Sequence, residues 1–144
     1  MKQTAVITLG NGKQIRIEFF HEDAPKTVEN FVTLARKGFY NGLSFHRVVP
    51  DFVVQGGCPK GDGTGGPGYQ VKAEFNKNKH VRGAVAMARS QSPDSAGSQI
   101  YIMLGPSHFL NGKYTAFGKV ATGMGVVDQI KVGDRIKSIR IVTK

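Results

Sequence analysis

Along most of this chain apolar residues come in short bursts that alternate with polar ones, and the spacing turns helical in only two places. TAVITL (4–9) and QIRIEFF (14–20) are rich in β-branched residues. Asn11-Gly12 between them is a strong hairpin signal, because both residues tolerate the positive φ of a tight turn. DAPKTVENFVTLARKG (23–38) then predicts an α-helix. Ala24, Val28, Phe31, Val32 and Ala35 form one apolar stripe, Asp23 is placed to cap the start and Pro25 suits the first turn. Lys37 lies in the last turn and Gly38 ends it. A helix with a single apolar face should lie against a sheet or the mouth of a barrel.

FHRVVPDFVVQGG (45–57) reads as two short strands folded back around Pro50-Asp51. A turn-rich stretch follows, from GGCPKGDGTGGPG (56–68) to about Asn78. Strand composition returns at GAVAMA (83–88), QIYIML (99–104), AFGKVA (116–121) and RIKSIRIVT (135–143), and GMGVVDQI (123–130) predicts a second, short helix. Ile136, Ile139 and Ile141 alternate imperfectly, which implies a bulge or bend in the last strand. Many short strands with glycine turns and two helices indicate a mainly β fold, a closed or nearly closed barrel. A parallel sheet of βαβ units is not expected, because helical stretches do not alternate with strands.

The chain of 144 residues, 40% hydrophobic and with nine Phe, is expected to form one domain over 1–144 with a core that needs no staples. A single cysteine, Cys58, rules out an intrachain disulfide. MKQTAVITLG has no apolar signal-peptide core, and no window approaches the ~20 apolar residues of a membrane span. The cytoplasm is the expected compartment, with Cys58 a reduced small hydrophobe rather than a nucleophile. The net charge of +10 favours anionic partners such as RNA or acidic protein surfaces, unless it is simply a solvated basic surface. The basic residues are spread along the chain, with mild clusters at Lys77, Lys79 and Arg82 and from Lys131 to Lys144.

Familiar catalytic patterns fail on inspection. GDGTGG (61–66) matches G-x-G-x-x-G, but Pro67-Gly68 follows at once and breaks the helix that a pyrophosphate site requires. A phosphate-binding G-x-x-x-x-G-K-[ST] is absent. His21-Glu22 begins like H-E-x-x-H, but Pro25 stands where the second His belongs. His21, His46, His80, His108 and Cys58 show no metal-ligand spacing, so no metal is expected. G-x-S-x-G is also absent, and Ser98 has no neighbouring base in sequence.

The hairpin is the more informative stretch. Folding about Pro50-Asp51 sets 47 opposite 55 and 49 opposite 53, so alternation puts Arg47 and Gln55 on one face. A guanidinium and a carboxamide would then stand together on an apolar surface beside Phe52 or Val53. Two readings fit: Arg47 snorkels from the barrel edge while Gln55 caps a loop, or the pair is a polar site retained for use.

FHRVVPDFVVQGG, followed in order by GDGTGG, AMARS, AGSQIYI and FLNGKYTAFGKV, with DAPKTVENF upstream, resembles the cyclophilins, the cyclosporin-binding family of peptidyl-prolyl isomerases. The resemblance covers nearly the whole chain and is strongest to the compact single-domain bacterial type, which carries MAR. It implies an eight-stranded antiparallel β-barrel closed by two α-helices. The implied activity is cis–trans isomerisation of Xaa-Pro bonds without a cofactor, and the ligand lies across an outer face. It implies that Arg47 is the catalytic arginine and that Gln55 bonds the substrate backbone. Phe52, Val53, Tyr101 and Leu110 would line the proline pocket, the Arg89 backbone would hold the peptide beside Ala88, Ser90 and Gln99, and Gly63 would border the groove. Phe109 and Tyr114 fall at its rim.

The chain departs from that pattern in several places. Tyr101 replaces Phe, so its hydroxyl needs solvent or a polar neighbour. Phe109 replaces Trp, which loses an N–H donor and weakens the expected cyclosporin binding. Tyr114 replaces His. Arg89 replaces Asn and adds positive charge, and the loop from Arg89 to Ala96 is one residue longer. The expected partners are proline-containing polypeptides bound by a monomer, with anionic molecules as secondary contacts and no membrane. A proline-peptide binding module without turnover and a basic nucleic-acid binder are the rival readings.

Overall fold

The computed structural model describes residues 3–143. In chain order the elements are β1 (Gln3–Leu9), β2 (Gln14–Phe19), α1 (Pro25–Arg36), β3 (Arg47–Val49), β4 (Val53–Gly56), β5 (Ala84–Met87), β6 (Ile100–Met103), a 3-10 turn (His108–Leu110), β7 (Ala116–Thr122), α2 (Met124–Asp128) and β8 (Ile136–Thr143). The strands form one antiparallel eight-stranded sheet in the order β3-β4-β6-β5-β7-β2-β1-β8.

That sheet is an open half-barrel, which corrects the closed barrel expected from sequence. Its end strands β3 and β8 do not pair with each other. β3 has only three residues, and the chain before it turns away to the loop that precedes β8. There Ser44 and Arg135 form a single bridge, Phe45 N–H donates to the Asp134 carbonyl at 2.9 Å, and Ile136 N–H donates to the Leu43 carbonyl at 2.8 Å. A short patch therefore spans the seam where a ladder would be needed for closure.

Alternation sorts side chains between two cores. Inside the curve, Ile7, Ile15, Ile17, Val54, Val85, Ile100, Ile102 and Phe117 pack with Phe31 and Val28 of α1. On the other face of β4, β5 and β6, a smaller cluster gathers Val53, Ala84, Ala86, Tyr101, Met103 and Leu110, with Val49, Phe52, Ala88 and Tyr114 packed against it. These strands are apolar on both sides because both sides are covered. The last strand carries the irregularity that its uneven isoleucines imply. Thr8 pairs with Ser138 and Leu9 with Ile136, so Lys137 bulges from the ladder.

α1 buries the expected stripe, but Asp23 does not cap it. Ala24 is the capping residue and provides no side-chain bond. Glu74, from the turn-rich stretch, takes over. Its carboxylate accepts from Thr27 N–H at 2.6 Å, Thr27 Oγ1 at 2.8 Å and Lys26 N–H at 3.3 Å, while Asp23 accepts from Asn78 Nδ2 at 2.8 Å. A negative group at the first turn satisfies free N–H donors and opposes the helix dipole. Glu74→Ala is expected to cost about 1 kcal/mol, the usual worth of a lost cap, and so to lower the thermal midpoint by about 3 °C. Glu74→Gln should keep much of that in the same melting experiment.

Candidate active site

The hairpin β3–β4 turns through Val49-Pro50-Asp51-Phe52, with Phe52 N–H bonded to the Val49 carbonyl at 3.0 Å. Asp51 has φ 63°, the left-handed conformation that a type II turn requires after proline. Gly105 lies under this turn, where a Cβ would come within 2.7 Å of the Asp51 carbonyl oxygen. Leu104 N–H bonds to the Phe52 carbonyl at 2.7 Å and fixes the turn over the end of β6.

The resulting register sets Arg47 opposite Gln55, and Gln55 opposite Tyr101 on β6. Arg47 Nη1 donates to Gln55 Oε1 at 3.2 Å. Gln55 Nε2 donates to Gln99 Oε1 at 3.0 Å, and Gln99 Nε2 donates to the Gly63 and Gly65 carbonyls at 2.9 and 3.0 Å. This chain runs from an exposed guanidinium to the glycine loop and leaves each carboxamide one orientation. Gln55 therefore bonds Arg47 and Gln99 rather than a loop end. The Arg47 guanidinium carbon also lies 5.9 Å from the centre of the Phe52 ring.

Beneath Arg47 is a cavity of about 310 Å³. Phe52, Val53, Tyr101, Phe109, Leu110 and Tyr114 form its apolar lining, and Arg47, Gln55, Ala88 and Arg89 stand at its edge. A larger cavity of about 860 Å³ adjoins it and shares Gln55, Ala88 and Arg89. Gly63, Ser90 and Gln99 border this second cavity and do not line the first. The thirteen residues that the resemblance proposed for the site all line these two adjoining cavities. Phe109 is 67% exposed and stacks on Phe52 with ring centres 6.2 Å apart, so it forms a rim rather than a floor.

The glycine loop beside the groove is held in place. Asp62 Oδ1 accepts from Thr64 N–H at 2.9 Å and Thr64 Oγ1 at 2.6 Å, which holds the Asp62 carboxyl below its ordinary value. Cys58 is buried, and its Sγ accepts from Gly65 N–H at 3.2 Å. The thiol is thus part of the loop's anchorage.

The polar neighbour required by the Tyr101 hydroxyl is His80, which is wholly buried behind the pocket. The hydroxyl lies 2.8 Å from His80 Nε2, and the rings stack at 5.8 Å. Sequence reasoning missed this partner. The only available signal was the need itself, since a buried tyrosine hydroxyl seeks a bond and His80 is remote in sequence. The His80 backbone is tied to the turn that carries Phe109 and Leu110. His80 N–H donates to Asn111 Oδ1 at 2.7 Å, and Ser107 N–H donates to the His80 carbonyl at 2.9 Å. Floor and rim therefore meet at one residue.

A scan against family models matches residues 4–143 to the cyclophilin type peptidyl-prolyl cis-trans isomerases. The chain is 49% identical to a peptidyl-prolyl cis-trans isomerase of Helicobacter pylori, covering 96% of this chain and 88% of that protein. It is 47% identical to peptidyl-prolyl cis-trans isomerase B of Bacillus subtilis, covering 96% and 98%. In three dimensions it is similar to a Cryptosporidium parvum cyclophilin type isomerase, with TM-score 0.90, 30% identity and coverage of 100% and 99%. The same Cryptosporidium protein, solved in the presence of the dipeptide Ala-Pro, superposes with TM-score 0.88 at 30% identity, covering 98% and 99%. The chain belongs to the cyclophilin family and is a cyclophilin-type peptidyl-prolyl cis-trans isomerase. Among the described residues, no helix is long and apolar enough to cross a membrane.

Burial lowers the pKa of His80, with the Asn111 side chain acting in opposition. Burial also lowers that of His46, with Asp62 opposing it and Arg47 reinforcing it. A histidine kept neutral in the folded state binds fewer protons than the unfolded chain once pH drops below about 6.5. Stability is therefore full above that value and declines as pH falls towards the lower folded value. In urea titrations at successive pH values from neutral downward, the midpoint should fall in the parent. It should fall less steeply in His80→Gln, with His46 supplying part of the remaining slope and the lowered Asp62 carboxyl adding to it at more acid pH.

Proposed function

We propose that the smaller cavity holds the substrate's proline ring, and that Arg47 is the catalytic residue above it. The observation that carries this reading is the Arg47 guanidinium, held by Gln55 at 3.2 Å beside a largely apolar pocket with room for a proline ring. Phe52, Val53, Tyr101, Leu110, Phe109 and Tyr114 supply the apolar contact. Gln55 and the backbone of Arg89 bind the extended peptide, which continues past Ala88, Ser90, Gln99 and Gly63 along the larger cavity. The dipeptide named with the Cryptosporidium protein supports a proline ligand.

The chemistry follows from the imide bond. Nitrogen shares its lone pair with the carbonyl, which gives a barrier of roughly 18–20 kcal/mol to rotation. Midway through rotation that sharing is lost, and the nitrogen becomes pyramidal and able to accept a hydrogen bond. A donor fixed there favours the twisted form over both planar ones, which is differential binding of the transition state. Arg47 is preorganised for this, because Gln55 and Gln99 relay its position to the glycine loop. No proton is transferred and no covalent bond is formed or broken.

The physiological ligands in this reading are flexible proline-containing chains, isomerised by a single-domain monomer in the cytoplasm, with the basic surface available to anionic partners. Cyclosporin binds weakly, since the Phe109 ring has no N–H to donate. In NMR exchange measurements on an Xaa-Pro peptide, Arg47→Ala should retain the fold and lose about 100-fold or more in rate, as removal of a preorganised donor does elsewhere. Parent-level exchange in that variant would remove Arg47 from its role, and exchange at the buffer rate in the parent itself would leave only a binding module. Calorimetry should show cyclosporin binding about tenfold tighter in Phe109→Trp, the gain expected of one added hydrogen bond.

A further inference from the structure

From sequence, Arg89 is an added positive charge beside the peptide path. Its geometry differs from that expectation. The guanidinium is turned back on its own neighbourhood, where it bonds three main-chain carbonyls. Nε and Nη2 both donate to the Lys113 carbonyl, at 2.9 and 2.7 Å. Nη1 donates to the Ser90 and Gln91 carbonyls, at 2.9 and 3.2 Å. The guanidinium plane covers Tyr114, with its carbon 4.4 Å from the ring centre. Tyr114 in turn meets Tyr101 edge-on at 5.9 Å and His80 at 6.4 Å.

Three parts of the groove thus converge on one side chain. Lys113 N–H bonds to the Leu110 carbonyl at 3.1 Å, so the carbonyl that Arg89 grips belongs to the turn carrying Leu110. Ser90 and Gln91 open the loop running to Ala96, and Ser90 is tied across that loop through N–H and Oγ to Ser95 Oγ at 2.8 and 2.7 Å. Arg89 itself lines both cavities, so it stands in the wall between them. Lysine could not replace it. A point charge on a flexible stem cannot stack on a ring and bond carbonyls on two segments at once.

We infer that the Arg89 side chain is a positioning residue for the isomerase reaction. It clamps Tyr114 and the 110–113 turn to the start of the 89–96 loop, and so sets the width of the proline pocket and the course of the peptide backbone beside it. Its charge faces carbonyl dipoles rather than the substrate, so it does not select an acidic residue before proline. The inference rests on the proline pocket proposed above.

The test compares the parent with Arg89→Lys, Arg89→Ala, Tyr114→Leu and the Arg89→Ala/Tyr114→Leu double variant. The substrates are Xaa-Pro peptides with Glu, Ala or Lys as Xaa, at low ionic strength. The clamp acts on bound peptide in planar and twisted forms alike, so both Arg89 variants should raise KM about tenfold and leave kcat within about twofold. The ratio of kcat/KM for the Glu and Lys peptides should match the parent's throughout. Because Arg89 and Tyr114 act through one contact, the double variant should be no worse than the poorer single one. Parent-like KM in Arg89→Lys, a Glu-to-Lys ratio that falls in Arg89→Ala alone, or additive losses in the double variant would each overturn the clamp. A loss of kcat at unchanged KM would do the same. Arg47→Ala in the same series separates the two ideas: if it retains parent kcat, Arg47 loses its catalytic role, whatever the Arg89 variants do to KM. Arg89→Lys, which keeps the stem and charge, remains interpretable should Arg89→Ala fail to fold.

Discussion

Arg47, Gln55, Tyr101, Ala86 and Ala116 stand opposite one another across five adjoining strands. Everything at the groove depends on this one cross-strand row, because side chains in a sheet alternate with a period of two. A slip of one residue between β4 and β6 would turn Tyr101 into the inner core and bring Ile100 or Ile102 out beneath Arg47. The turn at Pro50-Asp51 and the bond from Leu104 to Phe52 protect the register at one end. The chain of carboxamides from Gln55 through Gln99 to the glycine loop protects it at the other.

The two cores have different tasks. The inner one is a packed interior of isoleucine, valine and phenylalanine that holds α1 against the sheet. The outer one is small and aromatic, and it remains open: in the proposed reading, the proline ring of the ligand completes it. An apolar surface is kept open there without spreading, since polar groups surround it and the tyrosine hydroxyl at its floor is turned back to a buried histidine. The mechanism proposed for it is correspondingly sparse: rotation of a bond asks for a shaped apolar contact and one well-placed donor, with no nucleophile.

Much of this was legible before any coordinates. The strands, α1 and the facing of Arg47 on Gln55 follow from alternation and from the turn residues, which are local properties of the chain. The irregular isoleucines of the last strand pointed to the bulge now seen at Lys137. What was hidden depends on contacts between residues far apart in sequence. Glu74 rather than Asp23 caps α1, because the turn-rich stretch returns to the helix start and a propensity rule cannot see that return. The partner of Tyr101 lies 21 positions away. Arg89 was legible as a charge but not as a clamp, since its five donors could equally have faced solvent. The expected closure failed for a related reason: strand composition shows which segments extend, not whether the first and last of them meet.

That seam has a consequence for how such a molecule survives among its clients. A sheet with two unpaired edges is a template on which other chains can add as strands, and the clients of a folding assistant are unfolded chains. Neither edge here is inviting. β3 offers three residues and then a proline, and its outward arginine is exposed. β8 presents exposed Lys137 and Arg140, the former on a bulge that interrupts any continuous row of backbone donors. The borders of the sheet repel the very polypeptides that the groove attracts, so contact is channelled to side-chain recognition of proline and away from the main-chain pairing by which aggregates grow.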